Sequence, residues 1–182
     1  FIADGSKAKS ITQSQLAKVV DTHVRMSLEL QQAFGLRREE AIKFQPSFAD
    51  RGEQIVLKAS WTKGGKDRSI PIRTEAQRDV LDRARNLAGL GSLIPSNRNY
   101  VQQMRIYERD TLRAGLSHMH GLRHAYAQHR YEEMTGWKCP AAGGPVKGSL
   151  TLEQRAVDRE ARLTISHELG HEREQITAAY CG

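Results

Sequence analysis

From residue 11 to residue 34, apolar side chains recur at Leu16, Val19, Val20, Val24, Met26, Leu28 and Leu30, the spacing of a helix with one buried face. Gly35 interrupts that run and predicts a turn before a shorter helix over 36–43. Past Pro46 the period changes. Residues 54–60 (QIVLKAS) and 68–72 (RSIPI) predict two short strands around TKGGK, where Gly64 and Gly65 supply the positive φ of a hairpin turn and Lys63 sits near the tip. Further helices are predicted over 74–87, 97–114, 120–135 and 152–169, the first opening on Thr74 and the acidic Glu75. Residues 136–149 (GWKCPAAGGPVKGS) are dense in Gly and Pro and predict a loop. The sum is a mainly α, α+β fold with a small antiparallel β-hairpin, expected to form one domain over 1–182.

Charge changes this picture. The 182 residues carry 28 Lys and Arg against 21 Asp and Glu, a net charge of +7 that draws polyanions and makes their binding salt-dependent. No apolar run approaches the roughly 20 residues of a membrane span, and no signal-peptide pattern opens the chain, so a soluble cytoplasmic protein is expected. Cys139 and Cys181 lie in no CxxC pair, and reduced thiols are the expectation. The chain starts at Phe1 rather than Met and stops two residues after Tyr180, which reads as an excised fragment.

Three segments carry the candidate chemistry: GLRREE at 35–40, HGLR at 120–123, and LGHEREQITAAY at 169–180, in which Tyr180 stands nine positions after His171. With the hairpin lysine between the first two, their order and spacing resemble the tyrosine recombinases of the phage-integrase family. That resemblance implies a catalytic domain that cuts and rejoins DNA through a 3′-phosphotyrosyl bond, with an N-terminal core-binding domain expected ahead of it. It also implies double-stranded DNA attachment sites as partners, a tetramer on DNA, and an accessory bending or excision factor. Prokaryotic origin belongs to the same expectation.

Metal-free transfer of a phosphodiester to tyrosine needs a nucleophile, fixed positive charge at the non-bridging oxygens, and an acid for the departing 5′ oxygen. Arg37 and Arg123 offer planar forks suited to phosphate; Arg38 competes with Arg37, and the resemblance favours the residue directly after Gly-Leu. Lys63 matches the family's general acid, with Lys66 as the alternative in the same turn. Such a lysine works only if nearby cations lower its pKa. The resemblance makes His120 a proton acceptor or relay and His171 a donor to a non-bridging oxygen, although His118, His124 and His129 crowd the same region. Glu40, three residues after Arg37, is expected to orient an arginine or histidine, or to form a surface ion pair. Tyr180 is the expected nucleophile. Neither cofactor nor metal is implied.

Other readings exist. His167, Glu168 and His171 spell HELGH, the H-E-x-x-H signature of zinc metalloproteases. The third ligand is missing downstream, since Glu174 and Thr177 stand where the metzincin extension needs Gly and His. Type IB topoisomerases share the recombinase constellation, and a DNA-binding module without catalysis would keep the charge but not the ordered motifs. The 47 residues between Arg123 and His171 exceed the spacing expected of shorter family members and predict an insertion.

Overall fold

The 11–34 stretch forms two helices rather than one, α1 (Gln13–Ala17) and α2 (Thr22–Phe34), in the computed structural model, which describes residues 7–171 and 177–182. The apolar spacing runs through the break because Val19 is buried, but Asp21 imposes a new start. Its carboxylate caps α2, accepting the His23 and Val24 amides at 2.9 Å each, and it is fixed by Arg98 Nη1 at 2.6 Å. Arg25 reaches back to the Val19 carbonyl with Nε and Nη2 at 3.2 and 2.7 Å.

These elements belong to a compact unit spanning Ile11–His120. It continues through α3 (Arg38–Lys43), a short α4 (Pro46–Ala49) that the sequence pattern did not predict, β1 (Gln54–Leu57), β2 (Arg68–Pro71), α5 (Glu75–Ala88) and α6 (Tyr100–Arg113). The strands pair antiparallel, Ile55 opposite Ile70 and Leu57 opposite Arg68. β1 is shorter than the predicted 54–60, since Ala59–Trp61 turns into a 3-10 helix. There Trp61 is buried with its ring 5.9 Å from Phe44 and 5.8 Å from Phe48, a packing gain that overrides strand extension. Gly64 and Gly65 take φ of 90° and 68° at the hairpin tip, as the turn requires. Phe34, Leu36, Ile42, Ile55 and Leu81 are among its fully buried side chains.

The second unit joins residues 7–10 to Gly121–Gly182. It contains α7 (Gly121–Thr135), α8 (Leu152–Glu168) and α9 (Ala178–Cys181), the last a four-residue helix that carries Tyr180. The Lys9 amide donates to the Gly121 carbonyl at 2.9 Å, laying the leading segment against the start of α7. Tyr131 on α7 donates its buried hydroxyl to Asp158 of α8, which also accepts Arg162 Nε at 3.0 Å. The 136–149 loop is irregular apart from two single 3-10 turns, Pro140–Ala142 and Lys147–Ser149. Buried Cys139 and Cys181 are both free thiols, and Cys181 is pushed up by its hydrogen bond to Cys139 and by burial. Mainly helical with one two-stranded antiparallel sheet, the chain has the α+β class its sequence implies. Among the described residues, no helix is long and apolar enough to cross a membrane.

Candidate active site

In the Ile11–His120 unit, Gly35 ends α2 with φ 66°, its amide bonded to the Gln31 carbonyl at 2.8 Å. Only a left-handed residue ends a helix so abruptly, and glycine adopts that conformation without strain. Two residues on, extended Arg37 occupies the cap position of α3. Glu40, one turn into α3, accepts the Arg37 amide at 2.8 Å and Arg37 Nη1 at 3.3 Å. Its side chain is 0% exposed, so the surface ion-pair reading does not describe it. Arg38, by contrast, is exposed and pairs with Glu108 at 3.2 Å.

Arg37, Lys63 and His120 all line one open cavity of about 710 Å³, with Arg38, Tyr100 and Tyr107 among the other walls. Lys63 and His120 are exposed. The cavity wall that holds His120 bends sharply at His118, whose φ of 53° is the one left-handed non-glycine conformation among the described residues. Tyr107 donates its hydroxyl to Gln31 Oε1 at 2.6 Å, and burial pushes its pKa far up.

In the unit containing Gly121–Gly182, Arg123 is 1% exposed and central. Its Nε donates to the Tyr180 hydroxyl at 3.2 Å, its Nη2 binds the Leu169 carbonyl, and Nη2 lies 3.4 Å from His171 Nε2. His171 owes its place to the way α8 stops. Gly170, left-handed at φ 85°, lets the His171 amide reach the Ser166 carbonyl at 2.7 Å while its own amide bonds His167 at 3.0 Å. Those two bonds are a Schellman ending, so the glycine of L-G-H turns the chain and delivers the histidine to Arg123.

Tyr180 is held from several sides. The His124 ring lies 4.5 Å from the tyrosine ring, the His171 ring 6.0 Å, and Gln128 Nε2 donates to the Tyr180 carbonyl at 3.0 Å. His124 and Gln128 are one helical turn apart on α7, both buried. A polar pair at i and i+4 on an otherwise apolar face was the available sign of Gln128, which the motifs do not contain.

The HELGH residues do not make a metal face. α8 ends at Glu168, so His167 and His171 are not on consecutive turns of one helix. Glu168 is committed to Tyr126 at 2.5 Å and to Arg130 Nε and Nη2 at 3.1 Å, and His167 is exposed. Among the described residues, no group of three metal-binding side chains gathers.

A forked cation beside a tyrosine hydroxyl, as Arg123 stands beside Tyr180, is equipment for phosphoryl transfer to a phenol. Residues 2–129 match the model of the integrase family, and the chain belongs to that family. The matched stretch holds Arg37, Lys63, His120 and Arg123; His171 and Tyr180 lie beyond it. Among solved structures, the chain is similar to a lambda integrase dimer bound to a COC′ core site, at 19% identity and a TM-score of 0.58, over 96% of this chain and 48% of that one. It is also similar to the XerH site-specific recombinase in a post-cleavage complex with palindromic difH, at 17% identity and a TM-score of 0.55, over 93% of this chain and 47% of that one. The chain thus spans about half the length of these structures, and the likeness is one of fold. No curated protein sequence matches it.

Proposed function

We propose that the chain is the catalytic domain of a site-specific DNA recombinase that cuts and rejoins strands through a 3′-phosphotyrosyl intermediate, integrating or excising a mobile element in a prokaryotic cytoplasm. The observation that carries this reading is the Tyr180 hydroxyl bonded to Arg123 Nε at 3.2 Å, with His171 on the same guanidinium. A phenol is a poor nucleophile until its proton leaves or cations stabilise its phenolate, and Arg123 provides that charge. In this reading Tyr180 attacks the scissile phosphorus, and the bond to the 5′ oxygen breaks.

Arg37 and Arg123 then bind the non-bridging oxygens, His171 adds a donor, and His120 takes or relays the phenol proton. Lys63, on its exposed hairpin tip, protonates the 5′ oxygen. Glu40 orients Arg37. The new phosphotyrosyl ester retains the energy of the broken diester, so rejoining needs neither nucleotide nor metal. Partners in this reading are duplex attachment sites, further copies of the protein in a tetramer, and an accessory bending or excision factor. The deciding experiment incubates the whole protein with nicked duplexes tiled across the ends of the element that encodes it. A denaturation-resistant adduct, with the protein joined to the 3′-phosphate end of the cleaved strand, is expected, and its absence across the tiling would sink the recombinase reading.

A further inference from the structure

A fully buried carboxylate is tolerated only when its charge is paired and its oxygens are bonded. Glu40 is in that position, and two arginines serve it unequally. Arg68, the first residue of β2 and 7% exposed, meets it fork to fork, Nη2 on Oε1 at 2.9 Å and Nη1 on Oε2. Arg37 gives its backbone amide to Oε1 and a single guanidinium nitrogen, at 3.3 Å, to Oε2. The two-pronged pair is the stronger. Arg68 therefore neutralises the buried charge, while Arg37 is steadied by one longer contact and keeps its positive field for the cavity it lines.

Resting on the recombinase reading above, we propose that Arg68 is a positioning residue for Arg37, acting through Glu40. Without Arg68, the Glu40 charge would draw the Arg37 fork into a two-pronged pair and turn it from the phosphate. The same contact ties two parts of the reaction together. The chain runs from the Lys63 turn directly into β2, where Arg68 pairs with Leu57. The hairpin that bears the general acid and the arginine that bears the phosphate charge thus share Glu40 as an anchor.

The test measures single-turnover cleavage at saturating DNA, and DNA affinity separately, on the nicked duplexes that give wild type its adduct. Arg68→Ala should slow cleavage about ten- to hundredfold, as a small displacement of a catalytic group does, with affinity within about twofold. Arg68→Lys should retain an intermediate rate, because one ammonium cannot reproduce the fork. A double variant, Arg68→Ala with Glu40→Gln, should cleave faster than Arg68→Ala alone, since a neutral amide no longer pulls on Arg37. A merely structural Arg68 predicts the same rescue, because Gln also removes the stranded buried charge, but only in step with the melting temperature. The positioning role predicts this order of rates among variants that are all fully folded at the assay temperature, and rate losses that disappear once the folded fraction is corrected for would overturn it. Arg68→Ala and Arg68→Lys both cleaving at the wild-type rate, or a double variant slower than the single, would overturn this role and leave the recombinase reading standing. A wild type that forms no adduct overturns that reading and this role with it. Should Arg68→Ala fail to fold, Arg68→Lys with and without Glu40→Gln decides by the same order of rates.

Discussion

The Tyr180 hydroxyl accepts a hydrogen bond from Arg123 Nε at 3.2 Å, so the proposed nucleophile rests on the proposed phosphate receptor. Tyr180→Phe removes the attacking oxygen and leaves the ring contacts with His124 and His171 in place. It should abolish the covalent adduct while DNA affinity and its salt dependence stay within about twofold, because phosphate neutralisation rests on other side chains. An adduct formed by the Phe variant would assign the nucleophile elsewhere.

Removing fixed charge should act differently. Arg37→Ala should lower the cleavage rate by about 100- to 1,000-fold, the order seen when one transition-state donor is deleted. Arg123 must be probed as Arg123→Lys, because alanine would also strip the buried Leu169 carbonyl of its donor. The lysine variant keeps a charge but loses the fork, and a comparable rate loss with an unchanged melting temperature is the expected result.

Stability of the Ile11–His120 unit should depend on Asp21. Burial alone would raise this carboxyl, but the Arg98 hydrogen bond, the Val24 amide, the Arg98 charge and Gln103 outweigh it and hold the pKa below its ordinary 3.8. A folded pKa below the unfolded one means that the contribution is complete above about pH 4 to 5 and is lost as pH falls through the folded value. Asp21→Ala should therefore cost about 1–2 kcal/mol at pH 7, the range for losing a helix cap, in urea unfolding. The gap between variant and wild type should shrink near pH 3; a gap that widens on acidification would contradict the assignment.

Cleavage should survive chelators. Glu168 is engaged by Tyr126 and Arg130, leaving HELGH without the water-activating carboxylate that a zinc hydrolase needs. Purified protein assayed by elemental analysis should contain no stoichiometric zinc, and EDTA should leave the adduct yield unchanged. Zinc held by His167 and His171 would reverse this reading.

What could be read from sequence was local. Gly35 and Gly170 announce helix ends, and the residues placed by those turns, Arg37 and His171, follow at fixed offsets. Gly64 and Gly65 announce the hairpin in the same way. The break before Asp21 escaped, because Leu16, Val19 and Val24 keep helical spacing through it; the cap is secured by Arg98, 77 positions away. Arg68 escaped for a similar reason. Beside Lys66 and Asp67 it looks like one more polar residue of a hairpin, and only the fold brings it to Glu40, 28 positions back. Gln128 and His124 lie close to HGLR, yet their service to Tyr180 exists only once α9 packs against α7.

The close passage of the leading segment over the start of α7 also constrains how such proteins can be recombined in the laboratory. A methyl group on Gly121 would stand 2.5 Å from the Lys7 carbonyl oxygen and 2.6 Å from Lys9 Cγ. The second letter of HGLR is therefore set by the route of residues 7–10 rather than by the chemistry of its neighbours. A chimera that replaces the segment ahead of residue 11 must choose residue 121 to match the new path, or the graft will press on the turn between His120 and Arg123.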